Sequence, residues 1–111
     1  HPLFDQPFPI KHGAVLYEHP RFGKTTLKGL PQMDNRERSF SRVIEFLASG
    51  EVIVTSSYHG AYWGTLLNRK VILLNAFSSK FHGFKHQPPL ADEGGWKSKL
   101  AEARNFPEAL A

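Results

Sequence analysis

The sequence predicts an α/β domain in which a parallel sheet is flanked by helices, and three stretches carry that expectation. Val52, Ile53 and Val54 form a β-branched run without apolar–polar alternation, the pattern of a strand covered on both faces. A helical period follows, because His59, Tyr62, Trp63 and Leu66 stand at i, i+3, i+4 and i+7, a stripe expected to face the sheet. A second apolar run, residues 71–74, comes after Asn68, Arg69 and Lys70, whose cations suit a helix C-terminus. Residues 51–76 thus read as one βαβ unit. Its right-handed crossover would place the turn at residues 56–60 on the carboxyl edge of the sheet, where open α/β sheets bind ligands.

The remaining elements extend this unit in both directions. Pro2, Pro7 and Pro9 lack the backbone donor that a central strand needs, so residues 1–13 read as an extended Pro-rich arm or linker, and 14–111 as a single Rossmann-like α/β domain. Residues 14–18 read as a strand ended by His19-Pro20, and residues 21–32, with two glycines and Pro31, as irregular. Asp34 with Glu37 resembles a capping box, Phe40, Val43, Ile44 and Leu47 repeat with helical period, and Gly50 stands where an αL terminator belongs. That spacing predicts a helix of about 14 residues. Residues 77–86 have neither period and are expected to form a surface loop, while residues 96–104 suit a short amphipathic helix with Trp96, Leu100 and Ala103 on one side. Three strands are fewer than the usual sheet of about four to six. An unpaired edge is therefore expected, with self-association into a homo-oligomer or docking of the arm on a neighbouring molecule.

Composition narrows the function classes. A chain of 111 residues supports one small domain, with roughly 65% of its unfolded surface buried. It contains no cysteine, which removes disulfides and thiolate metal sites. No apolar run is long enough for a spanning helix, and no signal-like segment opens the chain, so a cytoplasmic protein is expected. The Pro-rich opening, with His1 in place of Met, suggests a piece of something longer. The net charge of +4 suits a small anionic ligand better than a nucleic acid. Two acid-free basic stretches, with Arg21, Lys24 and Lys28 in one and Lys80, His82, Lys85 and His86 in the other, both follow expected strands.

The chemistry is expected at the turn 56–60. The first amides of a helix point outward with the positive end of its dipole, so an anion sits well there. Ser56 or Ser57 would cap the helix or bond a phosphate or carboxylate, Tyr58 adds a hydroxyl, and Gly60 with Gly64 makes a bare strip for close approach to a neighbouring backbone. His59 is the catalytic candidate: on the first turn its imidazole is placed to donate a hydrogen bond or to act as general acid or base. The opposing reading makes His59 a packing residue. Lys80, four residues past the second strand, is expected to reach the same edge, ahead of His82, Lys85 and His86. There is no HExxH and no His/carboxylate cluster, which argues against a metal, and no GxGxxG, GxxxxGK[ST] or GxSxG. No cofactor is expected.

The run Val52-Ile53-Val54-Thr55-Ser56-Ser57-Tyr58-His59-Gly60-Ala61-Tyr62-Trp63-Gly64-Thr65-Leu66-Leu67-Asn68-Arg69-Lys70-Val71-Ile72, followed by Ser78-Ser79-Lys80-Phe81, resembles the C-terminal half of the polysaccharide pyruvyl transferases and their glycosyltransferase-like relatives. The resemblance covers roughly residues 39–81. It implies one half of a GT-B-like enzyme, with two Rossmann-like halves and a ligand cleft between them. In those transferases an Arg two residues before the His helps to hold phosphoenolpyruvate. Here His59 and Gly60 match, but Ser57 stands at the Arg position, so a bidentate clamp is missing and a nucleotide-sugar donor competes with a pyruvyl donor. The resemblance implies a transferase of cell-surface polysaccharide biosynthesis, working in the cytoplasm at the inner face of the membrane on an anionic donor and a saccharide acceptor. The resemblance matches at His59 and Gly60; taken with the reading of the turn and of the stretch 78–81, it makes His59 the catalytic candidate and Ser56, Ser57, Tyr58, Gly60, Ser79 and Lys80 the donor-binding ones. The isolated fragment is expected to be inactive. From another class, a non-catalytic anion- or nucleic-acid-binding α/β module fits the basic, aromatic loops.

Overall fold

In the computed structural model, which describes residues 2–19, 25–75 and 83–110, the apolar runs become strands of one sheet. They are β1 (His12–Glu18), β2 (Gln32–Asp34), β3 (Gly50–Thr55), β4 (Lys70–Leu74) and β5 (Leu90–Ala91), joined in the order β2-β1-β3-β4-β5 with every pair parallel. Two helices, α1 (Phe40–Ala48) and α2 (Tyr58–Leu66), pack on one face. This is an α/β, Rossmann-like arrangement. Sequence reading finds the three long strands and misses the two short ones, because a strand of three or two residues carries no period. The expected three-stranded sheet is thus corrected to five, with both edge positions of the β1-β3-β4 core occupied by the chain itself.

Strand alternation sorts the core. Val15, Tyr17, Ile53, Val71 and Leu73 point to the helices, where they meet Val43, Ile44 and Leu47 of α1 and Ala61 of α2. Leu16, Val52, Val54, Ile72 and Leu74 point the other way and are covered by Trp96, Ala103, Leu27 and Leu30, without a long helix. The expected helix over residues 96–104 is only a 3-10 turn, Trp96–Lys99. Trp96 and Ala103 are buried, but Leu100 is 40% exposed, so the three do not share one side.

Both helices differ from expectation in an instructive way. The N-cap of α1 is Ser39, whose hydroxyl accepts from the Arg42 N–H at 3.4 Å. Asp34 is not its cap, because it ends β2 six residues before the helix begins, and its carboxylate accepts instead from the Arg36 backbone N–H and guanidinium. Gly50 is no αL terminator either. It opens β3, and a Cβ there would lie 2.7 Å from Val15 Cγ2. In α2 the buried residues are Gly60, Ala61, Gly64 and Thr65, so of the expected stripe His59 and Tyr62 are exposed, while Leu66 and Trp63 are half-buried and Trp63 packs on the edge of the core against Phe40. The reason is proximity: a Cβ on Gly64 would come within 2.6 Å of Ile53 Cδ1 and 3.0 Å of Val71 Cγ2. The glycine strip is what seats this helix.

The N-terminal arm also finds its place on this same molecule. Pro2–Asp5 forms a 3-10 turn, and Leu3, Phe4 and Phe8 pack against the helix-side core, with the Phe4 ring 6.1 Å from that of Phe40. Arg69 fastens the arm. Its guanidinium donates to the Ala48 carbonyl at 2.9 Å, the Leu67 carbonyl at 3.2 Å and the Phe8 carbonyl at 3.1 Å, joining the ends of α1 and α2 to the arm. Burial lowers its pKa, yet the group stays charged at any ordinary pH. Docking of the arm on a neighbouring molecule is therefore not needed to bury its aromatics.

Candidate functional site

The chain runs outward from β1 to β2 and then returns past β1 to β3, so the winding direction reverses between β1 and β3. Loops leaving the carboxyl ends of two such strands diverge and leave a crevice, the usual ligand site of an open parallel sheet. Here those ends are Glu18-His19 and Thr55-Ser56-Ser57. The turn 56–60 therefore stands at the switch point.

Three hydroxyls build that turn. Thr55, fully buried, donates from Oγ1 to the Tyr17 carbonyl and accepts from the Ser57 N–H at 3.0 Å. Ser56 accepts on Oγ from the His19 N–H at 3.0 Å, while its own N–H reaches the Tyr17 carbonyl at 3.3 Å. Ser57 is the N-cap of α2, accepting on Oγ from the Gly60 N–H at 3.2 Å, and its carbonyl accepts from the Ala61 N–H at 3.0 Å. Ser56 and Ser57 are 2% and 3% exposed. Their oxygens hold the strand seam and the helix start.

Gly60 has a packing role of the same kind, since a Cβ there would lie 2.6 Å from Tyr17 Cδ2 and 2.7 Å from Thr55 Oγ1. The first turn of α2 descends directly onto the ends of β1 and β3. His59 is different. Its side chain is exposed, and its ring stands 5.8 Å from Tyr58 at 89° and 5.2 Å from Trp63 at 30°. It is not a core residue, and its backbone N–H, on the first turn, meets no acceptor among the described residues. Tyr58 is half-buried with its ring stacked on Phe84, centroids 4.8 Å apart at 25°. Ser79, Lys80 and His82 lie outside the described residues.

Two carboxylates at this edge escaped sequence reading. Glu18, the last residue of β1, is buried and accepts from Thr25 N–H and Oγ1 at 2.8 and 3.1 Å. Glu93 accepts from Thr26 N–H and Oγ1, both at 2.8 Å, and from Asn75 Nδ2 at 3.3 Å; the Thr26 bonds hold its pKa below the ordinary carboxylate value. Together they strap residues 25–26 across the carboxyl edge. The available signal was Glu18 itself, a charge closing an apolar strand.

Among the described residues no group of three or more His, Asp and Glu side chains could hold a metal ion, and no helix is long and apolar enough to cross a membrane. A cavity of about 210 Å³ opens on the flank of α2, one turn beyond the first-turn amides, between Tyr62, Leu66, Phe84 and Lys85. Comparison with protein-family models, with curated proteins and with solved structures returns no match for this chain.

Proposed function

We propose that this chain is the donor-binding half of a transferase of cell-surface polysaccharide biosynthesis, holding an anionic donor at the switch point between β1 and β3. The observation that carries the reading is His59: an exposed imidazole, and an amide with no acceptor among the described residues, on the first turn of a helix that starts at the carboxyl edge. The amide and the helix dipole would hold a diphosphate or phosphate oxygen. The imidazole, reaching the same oxygens, would donate a hydrogen bond and stabilise charge on the departing group. Ser57, which stands at the Arg position of the resembled family and serves as the buried cap, brings no guanidinium to clamp a donor carboxylate, and this favours a nucleoside diphosphate sugar over phosphoenolpyruvate. The polysaccharide assignment rests on the sequence resemblance of residues 39–81. Such an enzyme would work on the cytoplasmic side of the membrane.

Titration of UDP, pyrophosphate and phosphoenolpyruvate into the wild-type chain and the His59→Ala variant tests this. The expected result is UDP binding that His59→Ala weakens by about tenfold or more, the loss of one charge-assisted hydrogen bond. The melting temperature should stay within a degree or two, because the side chain is exposed. A His59→Ala variant that melts early yet binds UDP unchanged would make this turn only a helix start. Lys80→Ala, at a position that follows β4 in the sequence, supplies a second probe and should also weaken UDP binding. A steep fall of affinity for single-stranded oligonucleotide with salt, and none for UDP, would assign a nucleic-acid-binding module instead.

A further inference from the structure

We propose that the cavity on the flank of α2 is a saccharide subsite that takes one pyranose ring; this rests on the transferase reading, for which it names the place of the acceptor. The cavity has a volume of about 210 Å³. A dry cavity of about 150 Å³ holds benzene, so a single six-membered ring is the right size. Its chemistry is two-sided. Tyr62, Phe84 and Leu66 supply apolar and aromatic wall, while Lys85, His86 and Glu108 supply donors and acceptors at the rim.

A pyranose matches that division, because its C–H faces lie against aromatic rings while its equatorial hydroxyls need donors and acceptors together. The Lys85 ammonium donates and the Glu108 carboxylate accepts. The His86 ring lies 4.9 Å from that of Phe106, with its Nδ1 3.8 Å from the Glu108 carboxylate. A wholly apolar ligand would leave the donors and acceptors at the rim unused, and an anion would meet the Glu108 carboxylate. Thr65, which also lines the cavity, has its hydroxyl committed to the Ala61 carbonyl at 2.8 Å. Phe84 links the subsite to the candidate donor site. It lines the cavity and also stacks on Tyr58, the residue next to His59.

The test titrates methyl α-D-glucopyranoside, methyl α-D-galactopyranoside and N-acetyl-D-glucosamine into the isotope-labelled 111-residue chain, with amide shifts as the readout. At least one glycoside should bind with a dissociation constant on the order of millimolar, as a single small ring allows. Shifts should centre on Tyr62, Phe84 and Lys85. Tyr62→Ala and Glu108→Gln, both at exposed positions, should each weaken binding about three- to tenfold while leaving the fold and UDP binding intact. The assignment is overturned if no glycoside shifts these residues, if both variants bind as wild type does, or if benzoate fills the cavity and the glycosides do not. Loss of the UDP response with the glycoside response retained would instead remove the donor reading and keep the cavity assignment.

Discussion

The backbone N–H of His19 donates to the Ser56 hydroxyl oxygen at 3.0 Å, across 37 residues of chain, and closes the seam between β1 and β3. With Thr55 and the Ser56 N–H both bonded to the Tyr17 carbonyl, the strand ends are locked just where the winding reverses. The turn above them is thus fixed by hydrogen bonds within the chain. A donor bound there as proposed would have little of the turn left to order.

Two glycines test how α2 is seated. Gly60→Ala presses a methyl on the buried Tyr17 ring and on Thr55 Oγ1, which is held by hydrogen bonds, whereas Gly64→Ala meets the end of the Ile53 side chain. Overpacking costs about 1–3 kcal/mol, offset by up to about 1 kcal/mol of helix propensity. Denaturant midpoints should therefore fall clearly for Gly60→Ala and less for Gly64→Ala. Adding Ile53→Val, which removes Cδ1, should recover part of the Gly64→Ala loss and none of the Gly60→Ala loss. Equal losses in the two glycine variants would contradict this seating.

Arg69→Met keeps most of the stem and removes all three bonds to the Phe8, Ala48 and Leu67 carbonyls. Charged hydrogen bonds contribute about 1.5–3 kcal/mol each when buried, but these carbonyls regain water, so a net loss of about 2–3 kcal/mol is expected. Limited proteolysis should cut residues 6–11 sooner in the variant. Arg69→Lys should behave like Arg69→Met, since one ammonium cannot span three carbonyls. An arm cleaved at the wild-type rate in both variants would show that Arg69 does not fasten it.

Burial, with the Asp34 charge second, pushes the Tyr17 phenol up to about 12. The folded-state pKa is raised above that of the unfolded chain, about 10, so this contribution is fully present below pH 10 and disappears as pH rises through 12. Unfolding free energy should fall by up to about 2–3 kcal/mol across that window, and the fall should be smaller in Tyr17→Phe. Absorbance titration supplies the check. One of the three tyrosines should ionise near 12, and that step should vanish in Tyr17→Phe; all three ionising together near 10 would refute it.

The sequence by itself determined the parallel α/β framework, because Val52-Ile53-Val54 and residues 71–74 are apolar on both faces and a helical period joins them. It also marked the 56–60 turn, since a serine-rich stop between a buried strand and a helix is a local pattern. Which face of α2 would be buried was not local. Hydrophobicity chose the aromatic stripe, but close approach to Ile53 and Tyr17 chose the glycines, because only a residue without Cβ lets the helix backbone come so near the sheet. Likewise, β2 and β5 exist only through pairing with β1 and β4, having too few residues to show a period. The Ser57 cap is a local bond that the sequence reading already offered, whereas the tertiary structure decided that Ser56 would be turned inward to hold the seam. Its partner, the His19 N–H, comes near only when β1 pairs with β3.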